Sequence, residues 1–256
     1  MKKKLLGLLL VLFIVCGCQK KETTELTKIV VGIDNFEPYS YIGSDGQYTG
    51  VDVELARACF NRLGYEPDFV FIEWANKDTL LENGDIDCIW SCFSMNGRED
   101  KYDWAGPYLY SRQVILVRNN SEIFKLADLA NKRIGVQATT KGEDLMLHKI
   151  ESSIPSLRIV NSFSSTEDLF SAIRKNYVDA ICGHEALLNK LASEDDFRLL
   201  DDSPYLSKLG VAFLKDKDND FVKSVNDTLM EMIADGSVTD IVLKYGFDSD
   251  KVIVNE

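Results

Sequence analysis

Two stretches of the chain bring together residues that could do chemistry. In CIWSCFSMNGRED, residues 88–100, an apolar strand-like run ends in a Ser-Met-Asn-Gly turn that delivers Arg98 just before a second, aromatic run. An arginine so placed is commonly a solvated charge paired with a neighbour such as Glu99 or Asp100. Its planar, permanently charged fork can also hold a carboxylate by two parallel hydrogen bonds, which lysine does less well. In VDAICGHEALL, residues 178–188, another apolar run ends in His184 and Glu185. That pair has the parts for acid–base work, or it simply opens the helix HEALLNKLAS, where an acid is favoured. The sequence shows no Ser-His-Asp order, no metal-ligand cluster and no phosphate loop, and no cofactor is expected.

The elements that must position these residues alternate. KIVVGI (28–33), DFVFIE (68–73) and IDCIWS (86–91) are predicted strands, with a helix over 51–64 and a short one ending at Asn83-Gly84 between them. That order implies a mostly parallel sheet with right-handed crossovers. The order then begins again, with strands at 113–118, 133–137, 157–160, 178–182 and 198–200 and helices near 122–131, 140–150, 165–175 and 184–193. Ser164 with Glu167 is expected to form the capping box of one helix. After GVAFL (210–214) come two amphipathic helices. The fold class is therefore α/β, in two lobes without a long linker, with a ligand cleft between them at the carboxyl ends of the strands.

The first residues, MKKKLLGLLLVLFIVCGCQKK, have the layout of a secretory signal, too short for a membrane span. Residues 1–17 are expected to be a signal peptide and 18–26 a polar tether. The whole chain has a formal charge of −12, and losing the signal with its three lysines takes that to about −15, which argues against nucleic acid or an anionic membrane surface as partner. Cys59, Cys88, Cys92 and Cys182 each lie in an apolar run without Cys-x-x-Cys spacing, so buried thiols are expected rather than a metal site. Cys92 and Cys182 should end strands facing one cleft, the pair to inspect for a disulfide.

The order and spacing of GVDVELARA, ENGDIDCIW, GRE with Asp103 five residues after Arg98, GPYLYSRQ, RIGVQATT, NYVDAICGHEALL and EMIADGSVTDIVLKYG resemble the extracellular solute-binding proteins of the polar amino-acid family, family 3. The resemblance covers residues 28 to 247. It implies the type II periplasmic-binding-protein fold, lobe 1 at about 27–110 plus 211–256 and lobe 2 at about 111–210. It also implies an amino-acid ligand, the transmembrane subunits of an ABC permease as partner, and a monomer that is not an enzyme. Cys16-Gly17-Cys18 resembles a lipobox. Cys18 would then be lipidated and the exported protein anchored to the outer face of the cell membrane, or be periplasmic.

For the site, the resemblance implies that Arg98 grips the ligand α-carboxylate and that Thr139 and Thr140 meet it from the second lobe with hydroxyls and backbone N–H groups. Ser91, Phe93 and Ser94 would lie at the strand end beside Arg98, in a turn one residue shorter than usual. Phe36 matches an aromatic that packs on the ligand, Asp34 lies near a position used for polar side chains, and Trp74 and Trp90 would flank the mouth. One departure is larger. Where relatives carry an aspartate for the α-ammonium, this chain has His184 followed by Glu185, and a histidine cannot replace a fixed negative charge. Three alternatives stand: Glu185 turns in, neutral His184 accepts one hydrogen bond while Asp34 or a carbonyl supplies others, or the ligand lacks an α-amino group. A dehydratase or a sensor module on the same fold are the competing classes.

Overall fold

The computed structural model describes residues 26–253, so the signal, Cys16 and Cys18 lie outside the described residues. The chain opens with strand β1 (Thr27–Ile33), a small hairpin β2 (Tyr41–Ile42) and β3 (Tyr48–Thr49), helix α1 (Val51–Arg62), β4 (Tyr65–Phe71), helix α2 (Lys77–Asn83) and β5 (Cys88–Ile89). The long β6 (Tyr102–Arg118) leads to β7 (Arg133–Gln137), α3 (Lys141–His148), β8 (Ile159–Phe163), α4 (Thr166–Arg174), β9 (Ala180–His184), α5 (Glu185–Ala192) and β10 (Phe197–Leu199). The chain returns through β11 (Tyr205–Leu214) to α6 (Asn219–Ala234), α7 (Ser237–Lys244) and α8 (Ser249–Val252).

Nine strands form one sheet in the order β4-β1-β5-β11-β6-β9-β7-β8, with β10 on β6, and β2 and β3 pair separately. β1 is parallel to β4 and β5, β7 is parallel to β8 and β9, and the antiparallel β11 and β6 join these two halves. Sequence periodicity predicts β6 only as residues 113–118, because its first part, YDWAGPYLY, carries polar and turn-forming residues. Their hydrogen bonds to β11 make them strand all the same. At a rise of about 3.3 Å per residue, β6 spans roughly 55 Å, enough to belong to both halves. The β6–β11 register shifts between Leu209 and Val211. There Gly210 is required by close approach, because an added Cβ would lie 2.7 Å from the Met95 side chain and 2.9 Å from that of Trp104.

Each half buries apolar side chains against its helices. α1 sets Val51, Leu55 and Cys59 toward the core, as its spacing predicts. The segment predicted helical near 122–131 is only a 3-10 turn, Leu126–Leu129, and α4 is capped by Ser165 rather than Ser164. The Ser165 hydroxyl accepts from the Asp168 N–H, so the cap forms one residue after the predicted position, and as a single-sided cap. Cys59, Cys88, Cys92 and Cys182 are buried free thiols. Trp90 is fully buried against Phe60 and Tyr108, so it belongs to the core and not to the mouth of the cleft. Among the described residues no helix is long and apolar enough to cross a membrane.

Candidate ligand-binding cleft

The ends of β1, β5, β7 and β9 converge between the two halves around a small cavity of about 20 Å³, room for about one water. Side chains that cross between the halves fill the rest of the cleft. Asp34, Phe36, Trp74, Ser91, Phe93 and Ser94 line it from the first half. Gln137, Thr140 and His184 line it from the second, together with Lys141. Direct contacts join the two halves: Gln137 Nε2 donates to Asp34 Oδ2 at 2.8 Å in the cavity wall, while beside the cavity, outside its lining, Lys77 Nζ donates to Thr139 Oγ1 at 3.2 Å and Arg98 to the Thr139 carbonyl at 3.4 Å.

Arg98 is not a solvated turn charge. It forms no ion pair with Glu99 or Asp100. Its guanidinium donates to the Ser94 carbonyl at 3.1 Å and lies over the Phe93 ring, 5.4 Å from the centroid. Burial holds its pKa below the ordinary arginine value, yet an arginine stays protonated. The cation therefore sits at the edge of the cleft with carbonyl and ring partners and no acid in ion-pair contact, within the fields of Asp144, Asp78 and Glu99. Opposite it, Thr140 caps α3, accepting from Glu143 N and donating to the Gln137 carbonyl. Thr139 holds φ at +58°, which is uncommon for a β-branched residue and is the kind of backbone strain that clusters at functional sites. Its N–H is held by the Glu143 carboxylate at 2.6 Å.

The other wall accepts hydrogen bonds. Asp34 takes the Asn35 N–H as well as Gln137, and burial is the largest influence on its pKa, which is raised. Ser91 Oγ accepts from Asp34 N at 3.0 Å and pairs with Ser40. Gln137 Oε1 and Trp74 Nε1 are buried, both side chains line the cavity, and neither atom has a protein partner. Phe36 meets His184 edge-on, with ring centroids 6.0 Å apart.

His184 and Glu185 diverge. The buried His184 ring is kept neutral, its pKa pushed down to about 3 by desolvation with the Arg98 charge adding to it. Its Nδ1 lies 2.9 Å from Ser111 Oγ and its Nε2 3.0 Å from Gln113 Nε2, so both ring nitrogens are committed to protein. The Gln113 amide meets both ring nitrogens, since its Nε2 lies 3.3 Å from Nδ1 as well. Glu185 is paired with Arg112 at 3.1 Å and lines a separate pocket beside Tyr245 and Lys251, turned away from the cavity.

Sequence reasoning did not single out Lys77, Gln137 or Lys141. Lys77 lies four residues before Leu81, and these two are the buried face of α2, a spacing that marks an inward lysine. Gln137 ends β7, and strand ends are where ligands sit in such sheets. Lys141 is masked in sequence by the threonines that precede it.

A nine-stranded α/β sheet split into two halves, with a small polar cavity bridged by side chains from both, defines a two-lobed binding protein of the periplasmic-binding type. Residues 29–248 match the model of the bacterial extracellular solute-binding proteins, family 3, and the chain belongs to that family. It is 28% identical over 229 residues to the glutamate-binding protein GluB of Corynebacterium glutamicum, covering 83% of this chain and 75% of that one. Among solved structures it is similar to Tv2483 bound to L-arginine, with a TM-score of 0.81, 26% identity, and coverage of 90% and 95% of the two chains. It is also similar to the ancestral amino acid-binding protein AncCDT-1, a precursor of cyclohexadienyl dehydratase, with a TM-score of 0.75, 27% identity and coverage of 85% and 95%.

Proposed function

We propose that this protein is the amino-acid receptor of an ABC importer, exported, anchored through Cys18, monomeric, and closing residues 27–110 plus 211–256 onto 111–210 about the β6–β11 crossing. The observation that carries this reading is the polarity of the cavity. Arg98 stands on one side without an acid in ion-pair contact, while Asp34 and the free Gln137 Oε1 offer acceptors on another. A zwitterion fits that pattern, with its carboxylate on Arg98 beside Thr139 and Thr140 and its ammonium on Asp34 and Gln137. The ammonium seat has thus moved away from the His184 position, whose ring nitrogens are occupied, and Glu185 takes no part in it. Phe36, Trp74 and Phe93 supply apolar walls.

A dehydratase reading is disfavoured by the same geometry. A histidine with a pKa of about 3 is a poor proton carrier near neutrality, and Glu185 faces elsewhere. The test is a thermal-shift screen of the purified, ligand-stripped protein against the amino acids, cystine and carboxylic acids lacking an α-amino group, since a ligand of the folded state raises Tm by mass action. Particular amino acids should shift Tm and their deaminated analogues should not. Arg98→Ala should weaken binding by about 2–5 kcal/mol, the usual cost of truncating one partner of a buried charged contact. Shifts by amino-free acids alone, or turnover of a prephenate-like acid, would contradict the reading.

A further inference from the structure

One buried cation at the cleft is only weakly paired. Lys77 is only 3% exposed, an unusual place for a lysine. Its ammonium has one hydrogen bond, to Thr139 Oγ1, and otherwise lies over the rings of Trp74 and Phe93, at 5.2 and 5.8 Å. Asp78 is its nearest acid at 3.8 Å, but that carboxylate is already bound by Lys101 at 2.8 Å and by the Tyr102 hydroxyl. Lys141 is likewise buried at the cavity, but is paired with Asp144 at 2.8 Å. Glu143, which holds the Thr139 N–H, is the other acid facing Lys77. Lys77 is thus a buried cation beside the cavity whose acid partner is distant and shared. A neutral ligand side chain leaves that weak pairing as it is, whereas a carboxylate would complete it.

We propose that the ligand carries a second carboxylate, so that the cleft selects acidic amino acids, and that Lys77 is the residue that receives it. The inference rests on the amino-acid reading above and narrows it. Lys77 and Arg98 approach the same residue, Thr139, one through its hydroxyl and the other through its carbonyl, so both cations face one end of the ligand. Trp74 Nε1, a buried donor with no protein partner in the wall that Lys77 covers, adds a neutral hydrogen bond of the right sense for an anion.

The test is calorimetric titration of the ligand-stripped protein with L-glutamate, L-aspartate, L-glutamine and L-asparagine, repeated on Lys77→Met and Lys77→Arg. The acids are expected to bind at least about tenfold tighter than their amides, as a charge-assisted hydrogen bond allows. Lys77→Met should erase that preference while keeping the amides' affinity, and Lys77→Arg should retain part of it. Burial lowers the Lys77 pKa to about 8 against the field of Asp78, with Arg98, Lys101 and Glu143 also facing it. Glutamate affinity should therefore fall between pH 7 and 9.5 relative to that of glutamine, which shares the α-ammonium. Amides that bind wild type as tightly as acids overturn this inference and leave the amino-acid reading standing. Equal loss of acids and amides in Lys77→Met makes Lys77 a structural residue and overturns it too. If no amino acid of any class binds, the underlying reading fails, and this one with it.

Discussion

At the scale of single residues, burial decides which groups can do chemistry, and it does so with a measurable signature. His184 has a folded pKa of about 3 against an ordinary 6.5, so between these values the unfolded chain takes up a proton that the fold refuses. Its contribution to stability is complete above pH 6.5 and is lost as pH falls toward 3. Asp52, fully buried on α1 and accepting from Cys92 N and the Tyr108 hydroxyl, is pushed the other way, from 3.8 up to about 7. Its contribution is complete below pH 3.8 and is lost as pH rises through 7. The two slopes oppose each other between pH 3.8 and 6.5. Urea unfolding of His184→Gln should accordingly show stability declining from pH 4 to 7 relative to wild type. Asp52→Asn should instead show stability declining as pH drops below 6.5. A variant curve parallel to wild type would mean that the residue in question is not buried as described. The sequence told that Arg98 stands at a strand end and that His184 replaces an acid. It could not tell that Ser111 and Gln113 would consume both imidazole nitrogens, because those partners lie on β6, some seventy residues away.

At the scale of elements, apolar spacing was a good guide and polar bonding was not. β7 falls on RIGVQ as expected, and α1 and α3 to α5 fall within a few residues of their expected spans, because each buries an amphipathic face against the sheet. The first half of β6 escaped notice because only its partner β11, far along the chain, makes it a strand. The α4 cap shows how fine the limit is. Ser164 and Ser165 are equally good caps by type, and the backbone geometry selects Ser165. Ser165→Ala should lower stability by about 1 kcal/mol and Ser164→Ala by far less, a difference that thermal melts resolve. Equal effects would put the start of α4 elsewhere. Lys77 was overlooked for a related reason. Lysines on a short helix mostly face solvent, and only the i, i+4 relation to Leu81 marks this one as inward.

At the scale of the whole molecule, two α/β halves share one sheet through β6 and β11, and the cleft is crossed by side chains that grip each other. Asp34 reaches Gln137, Lys77 and Arg98 reach Thr139, Asn35 reaches Glu167 at 3.3 Å, and Glu37 pairs with Lys190. A ligand would take over the innermost of these bonds and become the bridge itself. The central claim is that its carboxylate goes to Arg98 and its ammonium to Asp34 and Gln137. The most direct test is a thermodynamic cycle by calorimetry that pairs Asp34→Asn with removal of the α-amino group from whichever amino acid binds. If the ammonium meets Asp34, the second change costs little once the first has been made, and the coupling is on the order of 1–3 kcal/mol, as for groups in contact. If the two losses simply add, the ammonium lies elsewhere, and the assignment of the cleft's acceptor wall is wrong.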